Sequence, residues 1–186
     1  MAVTLAQMTL EDFLSLPEAE PALEFEDGTV SQKVSPQGQH SRLQSEFMDH
    51  IRHQAESRKL AMAFPEIRTS YGERSYVPDI GVYRWDRIPR DATGRIVNDF
   101  RDPPDIAVEI VSPEQRVTTL IRKCAWYIEH GVKIAMLIDP EDDSVMLFRP
   151  GRPLELLGGD DKIALNDVLP DFDLTVRNLF ESLYPD

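Results

Sequence analysis

With 186 residues, 41% of them hydrophobic and 28% charged, the chain is long enough to bury one substantial core. No apolar stretch approaches the roughly 18 residues of a membrane span, residues 1–10 lack the charged-then-apolar order of a secretory signal, and a lone cysteine, Cys124, excludes an internal disulfide and a multi-cysteine zinc site. The net charge of −13 argues against a protein that coats nucleic acid by bulk electrostatics, but the acid is concentrated at the two ends, and residues 40–95 hold 10 basic against 8 acidic residues.

The expectation is one cytoplasmic domain over residues 1–186, and its elements can be taken in order. Thr9 and Asp12 mark the start of a short helix, Leu10 to Leu16, that Pro17 stops. Leu23-Glu24-Phe25-Glu26 and Thr29-Val30 flank Asp27-Gly28, a dipeptide suited to a tight hairpin turn, so Glu24 is placed on a strand. Leu43, Phe47, Met48, Ile51 and Ala55 recur at helical spacing between Gln39 and Arg58. Leu60 to Phe64, Ile67 to Tyr71 and Asp79 to Tyr83 read as strands, and Arg84 to Asp102 as a polar loop. Asp105 to Val111 reads as a central strand. The helix Thr118 to His130 follows, broken by Gly131, and then the strand Lys133 to Ile138. Strand, crossover helix and strand predict a parallel pair with the helix packed on the sheet. Ser144 to Arg149 and Leu154 to Leu157 add antiparallel strands, and Val176 to Leu183 a last short helix. The fold class is therefore α/β, a mixed β-sheet flanked by helices.

Glu109 lies within the β-branched run Ile106-Ala107-Val108-Glu109-Ile110-Val111, where an ionised carboxylate costs several kcal/mol to bury unless a positive charge compensates it. Asp79, in Val77-Pro78-Asp79-Ile80, is on a neighbouring strand. Magnesium suits such a pair, because it binds through one or two carboxylates and retains water; the backbone carbonyl of Ile110 is a further donor, and manganese a substitute. Glu24 could support a metal-bound water. Lys123 falls on the rim of the apolar helix face, roughly 40° from Tyr127 at 100° per residue, so that its ammonium can reach toward Glu109.

These residues resemble the PD-(D/E)xK restriction-endonuclease-like superfamily, and within it the bacterial Uma-type branch. The likeness runs from Leu23-Glu24-Phe25-Glu26-Asp27-Gly28 through Ser35-Pro36, His40, Pro78-Asp79 and Val108-Glu109-Ile110-Val111-Ser112-Pro113 to Lys123, Tyr127, Gly131-Val132 and Asp139-Pro140. It implies a restriction-endonuclease-like core. It also implies a magnesium-dependent endonuclease acting on DNA, with Asp79 and Glu109 as metal-binding acids, Glu24 as an additional acid and Lys123 as the catalytic lysine. Val111 occupies the usual lysine position two after Glu109, and the lysine of this branch lies on the following helix, as Lys123 does. The chain departs from the pattern at Thr119, where members often carry an acid. His40 and Arg84 are candidate substrate contacts, and a homodimer is expected because many enzymes of this likeness cut both strands with paired subunits.

Each residue also has a plainer reading. Pro-Asp recurs at Pro104-Asp105, Pro170-Asp171 and Pro185-Asp186 as turn punctuation, a buried Glu109 could be paired structurally, and Lys123 alone would be a solvated helix residue. Two further functions stay open: a catalytically weakened relative serving as a binding or regulatory module, and a hydrolase of smaller phosphate esters.

Overall fold

The computed structural model describes residues 8–113 and 115–185, so most of the segment read for a secretory signal lies outside the described residues. Thr9 and Asp12 form a reciprocal capping box that starts α1, Leu10–Leu14. The hairpin β1, Leu23–Glu26, and β2, Thr29–Gln32, turns at Asp27 and Gly28, both at positive φ, as a tight turn between twisted strands requires. The long amphipathic helix is α2, Gly38–Gln54. It stops short of the expected Arg58 because residues 56–58 tighten into a 3-10 turn that ends at a left-handed Lys59.

Next come β3, Ala61–Pro65, β4, Thr69–Tyr71, and β5, Arg74–Tyr76. The last of these was not predicted, since three residues are too few to show an alternation. The central strands are β6, Ile80–Arg84, and β7, Ile106–Ile110, followed by the crossover helix α3, Val117–Glu129, and β8, Ile134–Asp139. β9, Ser144–Phe148, β10, Glu155–Gly158, and α4, Val176–Glu181, complete the order.

The strands form two sheets, a four-stranded one in the order β2-β1-β5-β4 and a six-stranded one in the order β10-β9-β8-β7-β6-β3. β7 and β8 are parallel, as the strand-helix-strand pattern predicts, and the other pairs of the larger sheet are antiparallel. The side chains of β7 divide cleanly by parity. Ile106, Val108 and Ile110 pack with Leu43, Phe47 and Ile51 of α2, while Ala107 and Val111 pack with Leu120, Cys124 and Tyr127 of α3. Alternation therefore sends Glu109 to the α3 face. Each fully buried aliphatic side chain of this strand contributes about 1.5–3 kcal/mol, enough together to offset the several kcal/mol of carrying one carboxylate inside it. Among the described residues no helix is long and apolar enough to cross a membrane.

Candidate active site

The register of the central sheet brings the two acids together. Ile80 faces Val108, Gly81 faces Ala107 and Val82 faces Ile106, so one further step sets Asp79 opposite Glu109 on the same face. Regular pairing ends there because Pro78, the next residue along the register opposite Ile110, has no N–H to offer the Ile110 carbonyl. The Ile110 N–H instead donates to Asp79 Oδ2 at 2.7 Å.

Asp79 is 3% exposed and held from several sides. His40, in the first turn of α2, places Nε2 3.1 Å from Asp79 Oδ2, and Lys33 donates to Oδ1 at 2.7 Å. Gln44, one turn further along α2, donates to the Asp79 backbone carbonyl at 2.7 Å. Burial opposes ionisation of Asp79, but His40 and Lys33 outweigh it and hold the carboxyl well below its ordinary range. His40 Nδ1 is buried with no hydrogen-bond partner among the described residues.

Glu109, 2% exposed, accepts from Tyr127 Oη at 2.7 Å and lies 3.0 Å from Lys123 Nζ. Burial pushes its carboxyl up to about 7, against the pull of Lys123 and with a further push from Asp79. Lys123 also donates to Glu24 Oε1 at 2.7 Å, and its ammonium stands 5.0 Å from the centre of the Tyr76 ring. Burial works against its charge, yet Glu109 and Glu24 raise it above the ordinary lysine range. The two carboxylates thus favour the ammonium form of Lys123. Glu24 reaches this point because β1 alternates: Phe25 stacks on Phe13 of α1, with ring centroids 5.3 Å apart, and Glu24 projects the other way, where it also accepts from the Val77 N–H at 2.8 Å.

Glu24, Asp79, Glu109 and Lys123, spread over a hundred residues, therefore meet in one place. His40 joins them through Asp79. Arg84 does not: the five residues of β6 carry it about 16 Å from Asp79 at 3.3 Å per residue, to the opposite end of the strand. There its Nε lies 3.6 Å from Asp105, whose carboxylate is bonded by Arg87.

Lys33 was missed by sequence reasoning, together with Glu66 and the roles of Gln44 and Tyr127. Lys33 follows the hairpin among Ser, Gln and Val, and nothing local marks it, since its partner Asp79 is 46 residues away. Tyr127 was visible as a helix residue one turn beyond Lys123.

A cleft of about 340 Å³ opens onto this cluster, lined by Glu24, Lys33, Tyr76, Thr119, Arg122 and Lys123 among others. Asp79 and Glu109 are not in its wall; the two lysines that neutralise them are. Among the described residues no three His, Cys, Asp or Glu side chains are gathered as a metal-holding group. The donor set suits a hard cation that needs few protein ligands: two adjacent carboxylates, a carbonyl without its ladder donor, and Glu24 and Glu66 nearby, so that four carboxylates face two ammonium groups.

A mixed sheet with an acid pair at the broken end of its central strands, met by a lysine from the crossover helix, defines a nuclease-like protein with a restriction-endonuclease-like core. The chain belongs to the Uma2 family, described as "Putative restriction endonuclease", whose family model matches residues 10–177. The chain is also similar to a solved structure, a putative nuclease belonging to DUF820 from Anabaena variabilis, with 38% identity, 95% of this chain and 99% of that one covered, and a TM-score of 0.91. No curated protein matches.

Proposed function

We propose that this protein is a magnesium-dependent DNA endonuclease, with manganese able to substitute. The observation that carries the reading is the pairing of Asp79 with Glu109 across adjacent strands, each carboxylate neutralised by a lysine that faces the same cleft. Asp79, Glu109 and the Ile110 carbonyl would hold the ion. When bound, magnesium polarises a phosphoryl oxygen and lowers the pKa of the attacking water.

The chain's own residues do the rest. His40 and the Ile110 N–H orient Asp79, and Tyr127 orients Glu109, so neither carboxylate must reorganise during the reaction. Lys123, held as an ammonium by its two carboxylate partners and aimed by Glu24, presents its charge to the negative charge that develops on the phosphate. Arg122, exposed on α3 in the cleft wall, offers a cation to the incoming backbone. Cutting both strands calls for two such sites, which a two-fold homodimer supplies.

Two features favour a second reading, a nuclease-fold binding module: the lysines cover the acids, and the cleft presents Thr119 where the family resemblance implies an acid. Supercoiled plasmid incubated with magnesium or manganese separates the two. The endonuclease reading expects nicking or cutting that Asp79→Asn and Glu109→Gln abolish; DNA binding without cleavage under either ion, with Thr119→Asp restoring no activity, would establish the second reading instead. Equal activity in wild type and Asp79→Asn would expose a contaminating nuclease.

A further inference from the structure

Lys33 is a buried cation of the cleft with no role in the reaction as described above. Its side chain is 8% exposed, and its three N–H donors have three acceptors: Asp79 Oδ1 at 2.7 Å, the Val77 carbonyl at 2.8 Å and Glu66 Oε2 at 2.8 Å. Burial opposes its charge, and the carboxylates of Asp79, Glu109 and Glu66 more than restore it.

Its place at Asp79 is specific. Oδ2 is already taken by the Ile110 N–H and His40, which leaves Oδ1 as the oxygen free to meet an ion, and Lys33 occupies Oδ1. Lys33 also lines the cleft, whereas Asp79 does not. A divalent ion arriving from solvent therefore encounters the ammonium before the carboxylate. The two cations compete for one oxygen, and a unit charge beside a divalent ion at contact distance is repelled in so enclosed a site. Lys33 has somewhere to go, because Glu66, with a side chain 40% exposed, already holds the same ammonium from the other side. Gln44 steadies this alternative by bridging Glu66 Oε1 at 3.3 Å and the Asp79 carbonyl at 2.7 Å.

We propose that Lys33 is the resident counter-cation of Asp79, displaced onto Glu66 when a divalent ion binds, so that Lys33 and Glu66 set the ion affinity of the site in opposite directions. This rests on the reading of Asp79 as an ion ligand. A merely structural salt bridge makes a different forecast, since loss of either Lys33 or Glu66 would then loosen the site and weaken binding alike.

Calorimetric titration of manganese and magnesium into the full chain tests it with no cleavage involved. Lys33→Met is expected to bind manganese about tenfold more tightly than wild type, the effect of removing one competitor worth about 1.4 kcal/mol. Glu66→Gln strips Lys33 of its alternative partner and is expected to bind about threefold more weakly, by the loss of roughly half that energy. A wild type that binds no manganese alongside a Lys33→Met variant that does is the limiting case of the same result. Unchanged or weaker binding by Lys33→Met, tighter binding by Glu66→Gln, or no binding by any variant overturns the proposal. Should Lys33→Met fail to fold, Lys33→Gln, which keeps a polar donor beside Asp79 but removes the charge, takes its place with the same expected tightening, and weaker binding by it overturns the proposal. Asp79→Asn separates the layers. If it binds as wild type does, the ion-ligand reading itself falls; if it loses affinity while the other two variants do not move oppositely, only the role of Lys33 falls.

Discussion

Lys123 neutralises two carboxylates at once, and its position explains how Glu109 can sit in the middle of an apolar strand. Removing one partner of a buried pair leaves the other charge uncompensated, at a cost of about 3–5 kcal/mol. Lys123→Ala is accordingly expected to lose about that much stability in the presence of a chelator, leaving Glu109 with the Tyr127 hydroxyl as its direct partner among the described residues. Magnesium should recover part of the loss, because a cation held by Glu109 takes over its neutralisation. Denaturant melts with and without the ion check this, and an equal deficit in both would mean that no ion reaches Glu109. Cleavage by the variant should fall by about 10² to 10³, the usual effect of deleting one preorganised charge at a reacting centre. Glu109 stands out in the sequence because it interrupts an apolar run in which a charge is costly, and Lys123 because it edges an apolar helix face, whereas Asp79 taken alone reads as a turn residue and Glu24 as an exposed strand residue, and the resemblance joins them to the set. Lys33 and Glu66 were not legible, since both lie in polar surroundings and acquire meaning only when the chain brings them to Asp79. Arg84, five residues after Asp79 in sequence, stands a full strand length from it in space.

At the level of elements, β6 and β7 position the acids, and the surroundings of β6 leave little slack. Gly81, two residues from Asp79 and paired with Ala107, has no room for a side chain: a Cβ there would lie 2.8 Å from Ile67 Cγ2. That neighbour is β-branched and stiff at χ1, so either the Ile67 segment or β6 must give way. Gly81→Ala is expected to cost about 1–3 kcal/mol as overpacking and, by displacing β6, to weaken ion binding at Asp79 as well. Thermal melts and ion titrations of the variant test both consequences, and a stable variant with undiminished ion affinity would show that β6 is not held as tightly as described. The helices and central strands were readable from periodicity because they bury whole faces; Leu43, Phe47 and Ile51 on α2, and Leu120, Cys124 and Tyr127 on α3, are the residues that made the pattern. β5 escaped because Arg74-Ser75-Tyr76 carries no period of its own and is defined by pairing with β1 and β4. The end of α2 was overrun because Ala55 continues the apolar stripe while no glycine or proline marks the turn that follows.

For the molecule as a whole, a net charge of −13 and a nucleic-acid substrate are reconciled if attraction is local, supplied by the ion and by the cationic groups of the cleft wall. A two-fold dimer would set two such clefts against one duplex, and light scattering should return twice the mass of the chain; a monomer at high concentration would contradict it. The central claim is narrower than either point: Asp79 and Glu109 share a divalent cation. Crystals soaked in manganese and measured for anomalous scattering test that claim most directly. The account predicts one strong peak between the two carboxylates, within coordination distance of the Ile110 carbonyl, with Lys33 turned away from Asp79. Manganese absent from that position at saturating concentration, with the Lys33–Asp79 and Lys123–Glu109 pairs intact, would contradict it.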